Sequence, residues 1–401
     1  MARIDGARLL TDLHDLARFG QVSTGVTRLP FSSDDLSARE WLRARMAAAG
    51  LAASIDPYGN VYGAVPGAGP AVLIGSHTDT VPQGGWLDGA LGVMYGLEIA
   101  RARLEQGQRD VDVVSFMDEE GTYLSFLGSR TFCGDMTDQE LERTKGPGGR
   151  ALAEVIRERK SFGAPARLDR DRHVAYLEAH IEQGPRLEAA QQRIGVVSAI
   201  VGIHRYRVSV EGQANHAGTT PMSMRRDAGA TLIGIAAEVP QRFAAEAGAE
   251  TVWNIGSMSF SPGVTNVVPA AATMSVEFRD TDVKLLDKLD GVLQDIAAAH
   301  SRARRLPVET SLVMQAEPVK MDERLAQAIA TAVQGRGEAA RFMASGAGHD
   351  AQILAQCLPA AMLFVPSIGG RSHTVTENTR DEDIVLGCQV LADAVERILT
   401  P

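Results

Sequence analysis

Apolar positions along the chain follow two periods, and the changes between them mark its elements. Leu9, Leu10, Leu13 and Leu16, spaced among charged residues, predict an amphipathic helix within the first 21 residues. Ser32-Ser33-Asp34-Asp35 caps a second helix that carries Trp41, Leu42 and Met46 and stops near Gly50. Residues 51–65 read as a hairpin turning at Pro57-Tyr58-Gly59-Asn60. Short apolar runs at 71–75, 111–117, 174–177 and 362–365 have the length and composition of buried strands. A helix from about Asp88 to Gln106 follows the first run, and helical stretches broken at 145–149 follow the second. Strands alternating with helices predict an α/β fold with a mixed, mostly parallel sheet.

The pattern changes near residue 204. Residues 204–212 alternate as a half-solvated strand does, and a long helix covers about 226–247. Strands at 251–260 and 271–279, a helix at 282–302 and a strand at 308–315 complete a β-α-β-β-α-β, ferredoxin-like α+β unit. Helix, strand and helix resume from 319. The expected organisation is one larger domain built from 1–203 and 318–401, interrupted by a smaller one at 204–317.

Composition narrows the function classes. The chain has 401 residues, 45% hydrophobic and 22% charged, ordinary values for a globular protein of two or three domains. A net charge of -10 speaks against a nucleic-acid partner. Cys133, Cys357 and Cys388 are scattered, with neither a disulfide framework nor a zinc-ligand spacing, which suits a reducing cytoplasm. The first 21 residues lack the apolar core of a signal peptide, and no apolar run approaches the roughly 20 residues that span a membrane.

The chemistry concentrates where strands end. The run at 71–75 leads into His77 and Asp79, then Asp88, and in open α/β sheets ligands bind beyond the carboxyl ends of strands. His77 and Asp79 leave the same face of extended chain, so His77 can bind a metal while Asp79 accepts its other ring N–H. The plainer reading of Asp88 is an N-cap for the helix that follows. Three more strand ends offer ligands: Glu120, His180 and His373. A lone His there is ordinarily structural, but three at expected loop starts, among nine in the chain, point to a shared purpose. Imidazoles with a shared carboxylate suit Zn, Mn, Co or Ni better than Mg or Ca. Glu119 and Glu120 suit a division of labour in which one binds metal and its neighbour takes a proton from water.

The motifs Gly75-Ser76-His77-Thr78-Asp79-Thr80-Val81-Pro82, Asp88-Gly89-Ala90, Glu119-Glu120-Gly121, His180-Ile181-Glu182-Gln183-Gly184-Pro185, Ala214-Asn215-His216-Ala217-Gly218-Thr219-Thr220-Pro221-Met222, Gly346-Ala347-Gly348-His349-Asp350 and Ser372-His373 resemble the hydantoinase/carbamoylase branch of the M20 metallopeptidase clan. The resemblance covers nearly the whole chain. It implies a zinc-peptidase-like catalytic domain with an inserted lid and dimerisation domain, and two divalent transition-metal ions per subunit. His77 and His180 would hold one ion, Glu120 and His373 the other, and Asp88 would bridge them. Glu119 would be the general base and Asp79 would orient His77. His216 would reach the partner subunit's active site in a homodimer and stabilise an oxyanion. Asn266 and Arg279 would bind substrate, Arg279 through the substrate carboxylate, a task that suits a guanidinium. Gln183 and the loop ending at Gly348 are further candidate substrate contacts.

The implied function is hydrolysis of a linear C–N bond, that of an N-carbamoyl-L-amino acid or related ureido acid such as allantoate. Thr122-Tyr123-Leu124, Asp118 and Trp86 depart from the family pattern. Tyr123 and Trp86 raise a second expectation, a bulkier or aromatic amide, N-acyl amino acid or dipeptide-like substrate contacted by Tyr123. A non-catalytic protein on this fold would have lost a ligand or the base, and all are present.

Overall fold

A computed structural model of the chain describes residues 2–67, 69–158 and 163–400. The chain packs as two compact units, Met1–Ser198 with Lys320–Pro401, and Ala199–Val319.

The first unit is built on a nine-stranded mixed sheet, most of which runs in the order Ile194–Ile200, Ala360–Val365, His173–Ile181, Ala71–His77, Val111–Phe116, Val61–Ala64, Ala52–Ile55. Ala360–Val365, His173–Ile181, Ala71–His77 and Val111–Phe116 are mutually parallel. Every residue of Ala71–His77, Val111–Phe116 and Ala360–Val365 is buried, as expected of parallel strands covered on both faces. The helix Ala90–Glu105 is buried nearly all round, so its sequence shows little amphipathic bias.

The sheet is less parallel than its sequence pattern suggests. Val61–Ala64 runs antiparallel to both of its neighbours, because a tight hairpin joins it to Ala52–Ile55. Ile194–Ile200, which the pattern did not separate from its surroundings, lies antiparallel to Ala360–Val365. The connection from the preceding strand, residues 182–193, holds only the four-residue helix Arg186–Ala189, too short to carry the chain back along the sheet as a crossover helix does.

The strand expected at 174–177 runs from His173 to Ile181. His180 therefore lies inside a strand and not at a loop start. Glu178 ends the apolar run but not the strand, because its buried carboxylate accepts from Ser76 Oγ (2.7 Å), Tyr176 OH (3.2 Å) and the Ala351 N–H (2.7 Å).

The four parallel strands end on one edge of the sheet and so deliver His77, the residues after Phe116, and His180 to one place. At the opposite edge Asp112 ties strands together. It accepts from Tyr62 OH (3.0 Å), the Val65 N–H (2.8 Å) and Arg172 (2.6 Å), with His173 at 3.2 Å. Burial pushes the Asp112 carboxyl up, but the Arg172 and His173 hydrogen bonds outweigh it and hold the group down at about 2.

The second unit has a four-stranded antiparallel sheet in the order Val252–Ser261, Ala271–Asp280, Gly202–Glu211, Val308–Ala316. The helices Ala228–Glu246 and Val283–Arg304 bury Leu232, Ile235, Leu289 and Leu293 against Val208, Val276 and Phe278. Alternate residues of Ala271–Asp280 are buried, the signature of a sheet covered on one face. Among the described residues, no helix of either unit is long and apolar enough to cross a membrane.

The Asp112 cluster generates a stability prediction. The carboxyl titrates at about 2 in the folded chain and at about 3.9 when unfolded. Its stabilising charge is therefore fully present above pH 4 and is lost as pH falls through 2. Asp112→Asn should lower the unfolding free energy by about 2–3 kcal/mol at pH 7 and by about half that at pH 3. Paired urea titrations at the two pH values test this, and an equal loss at both would refute it.

Candidate metal centre

Asp88 does not cap the helix after it. The cap residue is Gly89, without a side-chain cap bond, at φ 64. A Cβ at Gly89 would fall 2.4 Å from His77 Nε2, so only glycine allows the chain to pass this close to the ring. Asp88, freed from capping, turns its carboxylate among three imidazoles. Its Oδ1 lies 3.1 Å from His180 Nε2 and 3.7 Å from His77 Nε2, and its Oδ2 lies 3.2 Å from His373 Nε2. Glu120 Oε1 stands 3.4 Å from His373 Nε2.

The donor atoms thus form two groups that share Asp88: His77, Asp88 and His180, and Asp88, Glu120 and His373. The rings are turned to present lone pairs inward. His77 Nδ1 lies 2.9 Å from the Asp79 carbonyl oxygen and His180 Nδ1 2.9 Å from that of Ile181, so each Nδ1–H donates outward and each Nε2 faces Asp88, that of His180 also accepting the Gly89 N–H at 3.1 Å. Nitrogen and carboxylate donors in this pattern fit a pair of divalent transition metals.

Asp79 holds His77 through its backbone and not its side chain. The carboxylate Oδ1 is 3.9 Å from His77 Nδ1, while Oδ2 accepts the Glu120 N–H at 3.3 Å. The expected carboxylate–imidazole bond is therefore replaced by a carbonyl–imidazole bond, because the Asp79 side chain turns towards the neighbouring strand end.

Glu119 belongs to neither donor group, yet its Oε2 lies 3.6 Å from His77 Nε2. Burial, then the charges of Glu120 and Asp350, push its carboxyl well above the usual range. Glu120 rises to about 8 through burial and then Asp88. Asp88 is also pushed up by burial, but hydrogen bonds from His180 and His373 take it well below its usual value. So many carboxylates in a buried space favour a cation there. Asp118, at φ 57, shapes the loop beyond by accepting the N–H groups of Thr122, Tyr123 and Leu124 at 2.7–2.9 Å.

Several supporting residues were not legible as such. Glu377 Oε1 accepts the N–H groups of Leu87 (3.2 Å) and Asp88 (3.1 Å), and the Ser372 hydroxyl, with one hydrogen to give, stands between Glu377 Oε2 (3.0 Å) and Asp88 Oδ2 (3.1 Å). Glu377 thereby ties the His373 loop to the Asp88 loop. In sequence it is one acid in a polar stretch. His349, fully buried, packs its ring 4.5 Å from that of His180 and contacts Ser345 Oγ at 2.9 Å. Burial, then His180, hold it neutral.

The expected substrate contacts divide. Gln183 Nε2 donates to Asp88 Oδ2 at 3.0 Å, so its amide braces the shared carboxylate. Gln183, Gly346, Ala347, Ser372 and His373 line a cavity of about 450 Å³. Gly348 lies beside it in sequence, and a Cβ there would stand 2.9 Å from the Phe126 ring.

Tyr123 meets Phe31 edge-on at 5.5 Å and covers Gly146, in a small apolar cluster with Met117, Leu127 and Leu152. Trp86 stacks on His14 of the first helix at 4.7 Å. Neither ring is among those lining the cavity beside Gln183 and His373, and Trp86 lines a separate one with His14 and Gln21.

In the second unit, the short pairing of Asn215–His216 with Val267–Val268 holds His216 beside the Asn266 loop, and the Asn266 carbonyl accepts the Ala217 N–H at 3.0 Å. His216 Nδ1 accepts from the Gly218 (3.0 Å) and Thr219 (3.2 Å) N–H groups, so the neutral ring carries its proton on Nε2 and presents it as a donor. Arg279 is elsewhere. It grips Glu277 Oε1 at 2.7 Å near the far end of the ten-residue strand Ala271–Asp280, which at ~3.4 Å per residue is about 30 Å long.

Residues 73–397 match the model of peptidase family M20/M25/M40. An N-carbamoyl-L-amino-acid amidohydrolase of Paenarthrobacter aurescens is 34% identical over 98% of this chain and 97% of its own length. An allantoate amidohydrolase of Escherichia coli is 35% identical over 94% of each chain. The crystal structure of an amidase of the hydantoinase/carbamoylase family from Burkholderia phymatum superposes with a TM-score of 0.91 at 46% identity, covering 99% of this chain and 98% of that one. With its motifs, its donor groups and these full-length likenesses in agreement, the chain belongs to peptidase family M20/M25/M40, among the hydantoinase/carbamoylase amidases.

Proposed function

We propose that this protein is a two-metal amidohydrolase that removes the carbamoyl group from an N-carbamoyl-L-amino acid or a related ureido acid. The observation that carries this reading is a pair of donor groups sharing Asp88, with a buried carboxylate, Glu119, beside them and outside both. His77 and His180 would hold one ion and Glu120 and His373 the other, with Asp88 common to both groups. When bound, Zn or Mn (or Co or Ni) supplies Lewis acidity, lowering the pKa of a water and polarising the substrate carbonyl.

Glu119 accepts the proton of the attacking water and delivers it to the leaving nitrogen. Its place beside His77 and outside both donor groups leaves its carboxylate for that task. Gln183 and Ser372 keep Asp88 oriented through the hydrogen bonds described above. His216 Nε2–H donates to the oxyanion that develops on the substrate, and Asn266 and Arg279 bind the substrate, Arg279 at its carboxylate.

The second unit acts as a lid and dimerisation domain in this reading. His216 and Asn266 lie near one end of a strand about 30 Å long and Arg279 near the other. A substrate the size of an amino acid cannot touch both ends of one copy. This separation supports a homodimer in which His216 serves the partner's site.

A screen of N-carbamoyl-L-amino acids, allantoate, N-acetyl amino acids and dipeptides, with Zn and with Mn, tests the substrate class. The ureido compounds should be cleaved fastest, and turnover confined to dipeptides would overturn it. Glu119→Gln should keep the metal content of the wild type but lower kcat by at least about a hundredfold. A loss smaller than tenfold would exclude Glu119 as the base.

Subunit exchange tests the shared site. Glu119→Gln and His216→Ala are each expected to be inactive. Mixed, they should regain about half of the wild-type rate per heterodimer, because one site then carries both lesions and the other neither. A mixture that exchanges subunits and stays inactive would place His216 in its own subunit's site.

A further inference from the structure

Beneath the donor groups, the second helix contributes a fully buried guanidinium. Arg39, 1% exposed, sits on Ser33–Ala48 and pairs with Asp35 one turn earlier, Nε to Oδ1 at 2.8 Å. That pair would suffice to neutralise it, and Leu42 and Met46, both fully buried, already hold the helix to the core. Yet the guanidinium reaches further. Nη1 donates to the carbonyls of Gly59 (3.0 Å) and Phe116 (3.2 Å). Nη2 lies 3.7 Å from Asp79 Oδ1, and neither of these buried atoms has a hydrogen-bond partner elsewhere.

These contacts lead to both donor groups. Phe116 is the last residue of the strand that runs into Glu119 and Glu120. Asp79 follows the strand that ends in His77. Its carbonyl receives the His77 Nδ1–H and its Oδ2 receives the Glu120 N–H. One planar, five-donor group therefore grips the ends of two adjacent strands, one feeding each donor group. Lysine, with a single ammonium, could not span Asp35, Gly59, Phe116 and Asp79 together.

We propose that Arg39 is a positioning residue for the metal centre, setting through Asp79 and Phe116 the spacing between His77 and Glu120. This rests on the two-metal reading above. Without Arg39 the buried Asp79 Oδ1 loses the guanidinium nearest to it, keeping only the more distant charge of buried Arg28, and turns, carrying with it the carbonyl that orients His77 and the acceptor that fixes Glu120.

The test compares Arg39→Lys, Arg39→Met and Asp35→Asn with the wild type. The readouts are Zn affinity by competition with a chromophoric chelator and the visible absorption spectrum of the Co-substituted protein, which reports ligand geometry without turnover. Folding is checked by circular dichroism. Arg39→Met, and to a smaller degree Arg39→Lys, should bind Zn about 10–100-fold more weakly, the usual effect of removing a group that orients a ligand, with an altered Co spectrum. Asp35→Asn should unfold at lower temperature with Zn affinity and Co spectrum unchanged. If Arg39→Met does not fold, Arg39→Lys, which retains the charge, decides. Folded Arg39 variants with wild-type affinity and spectrum would overturn the proposal, as would equal losses in Asp35→Asn, which would assign the effect to helix packing. Failure of the wild type to take up Zn or Co would instead overturn the metal reading itself.

Discussion

The site depends on one carboxylate held between three imidazoles. Asp88 reaches His77 and His180 with one oxygen and His373 with the other, and the three histidines come from segments far apart in the chain. A carboxylate so placed can serve two donor groups at once only if it is prevented from satisfying itself locally. Gly89, with its positive φ, takes the helix cap position, and the Glu377 carboxylate holds the backbone of Leu87 and Asp88. Gln183 donates to Asp88 Oδ2, and the Ser372 hydroxyl lies against the same oxygen.

The two edges of the first unit's sheet show what such an arrangement costs. At one edge Asp112 is surrounded by donors, Arg172 among them, and its carboxyl is held low, a cluster that stabilises the fold. At the other, Asp79, Asp88, Glu119 and Glu120 crowd together with imidazoles, and burial pushes Glu119 and Glu120 towards their neutral forms. Buried carboxylates without cations oppose folding. Their concentration where four parallel strands end is reasonable only if cations complete the set. Arg39 belongs to both themes, a buried charge that anchors a helix and at the same time faces the carboxylate beside the site.

The second unit places its chemistry differently. Its sheet is covered on one face, and its functional candidates lie near opposite ends of one strand. The His216 loop is folded so that the ring's Nδ1 is used by two backbone N–H groups, leaving Nε2–H as a donor. Arg279 is already steadied by Glu277, which Arg205 also holds at 2.7 Å. Donor and cation are thus each pre-oriented, but too far apart to meet over one small molecule.

The apolar runs and their alternation with helices were enough to read an α/β sheet from the sequence, and motif spacing was enough to single out His77, Asp88, Glu119, Glu120, His180 and His373. These features are local, because hydrophobic period and turn chemistry act over a few residues. The limits of the strand His173–Ile181 were not legible, since Glu178 looks like a strand breaker until Ser76, Tyr176 and Ala351 are brought to it. Nor were the supporting roles of Glu377 and Arg39, each of which has an unremarkable place in the chain, or that of His349, which stands in a motif that does not by itself say what the ring packs against. Trp86 and Tyr123 read as neighbours of the site, and the structure packs their rings on His14 and Phe31 and leaves both outside the cavity beside His373. Sequence determined which strand ends could carry ligands. Only the tertiary structure decided which oxygen of Asp88 meets which imidazole, and that Asp79 orients His77 through its carbonyl, because hydrogen-bond partners distant in the chain are chosen by the packing that brings them within reach.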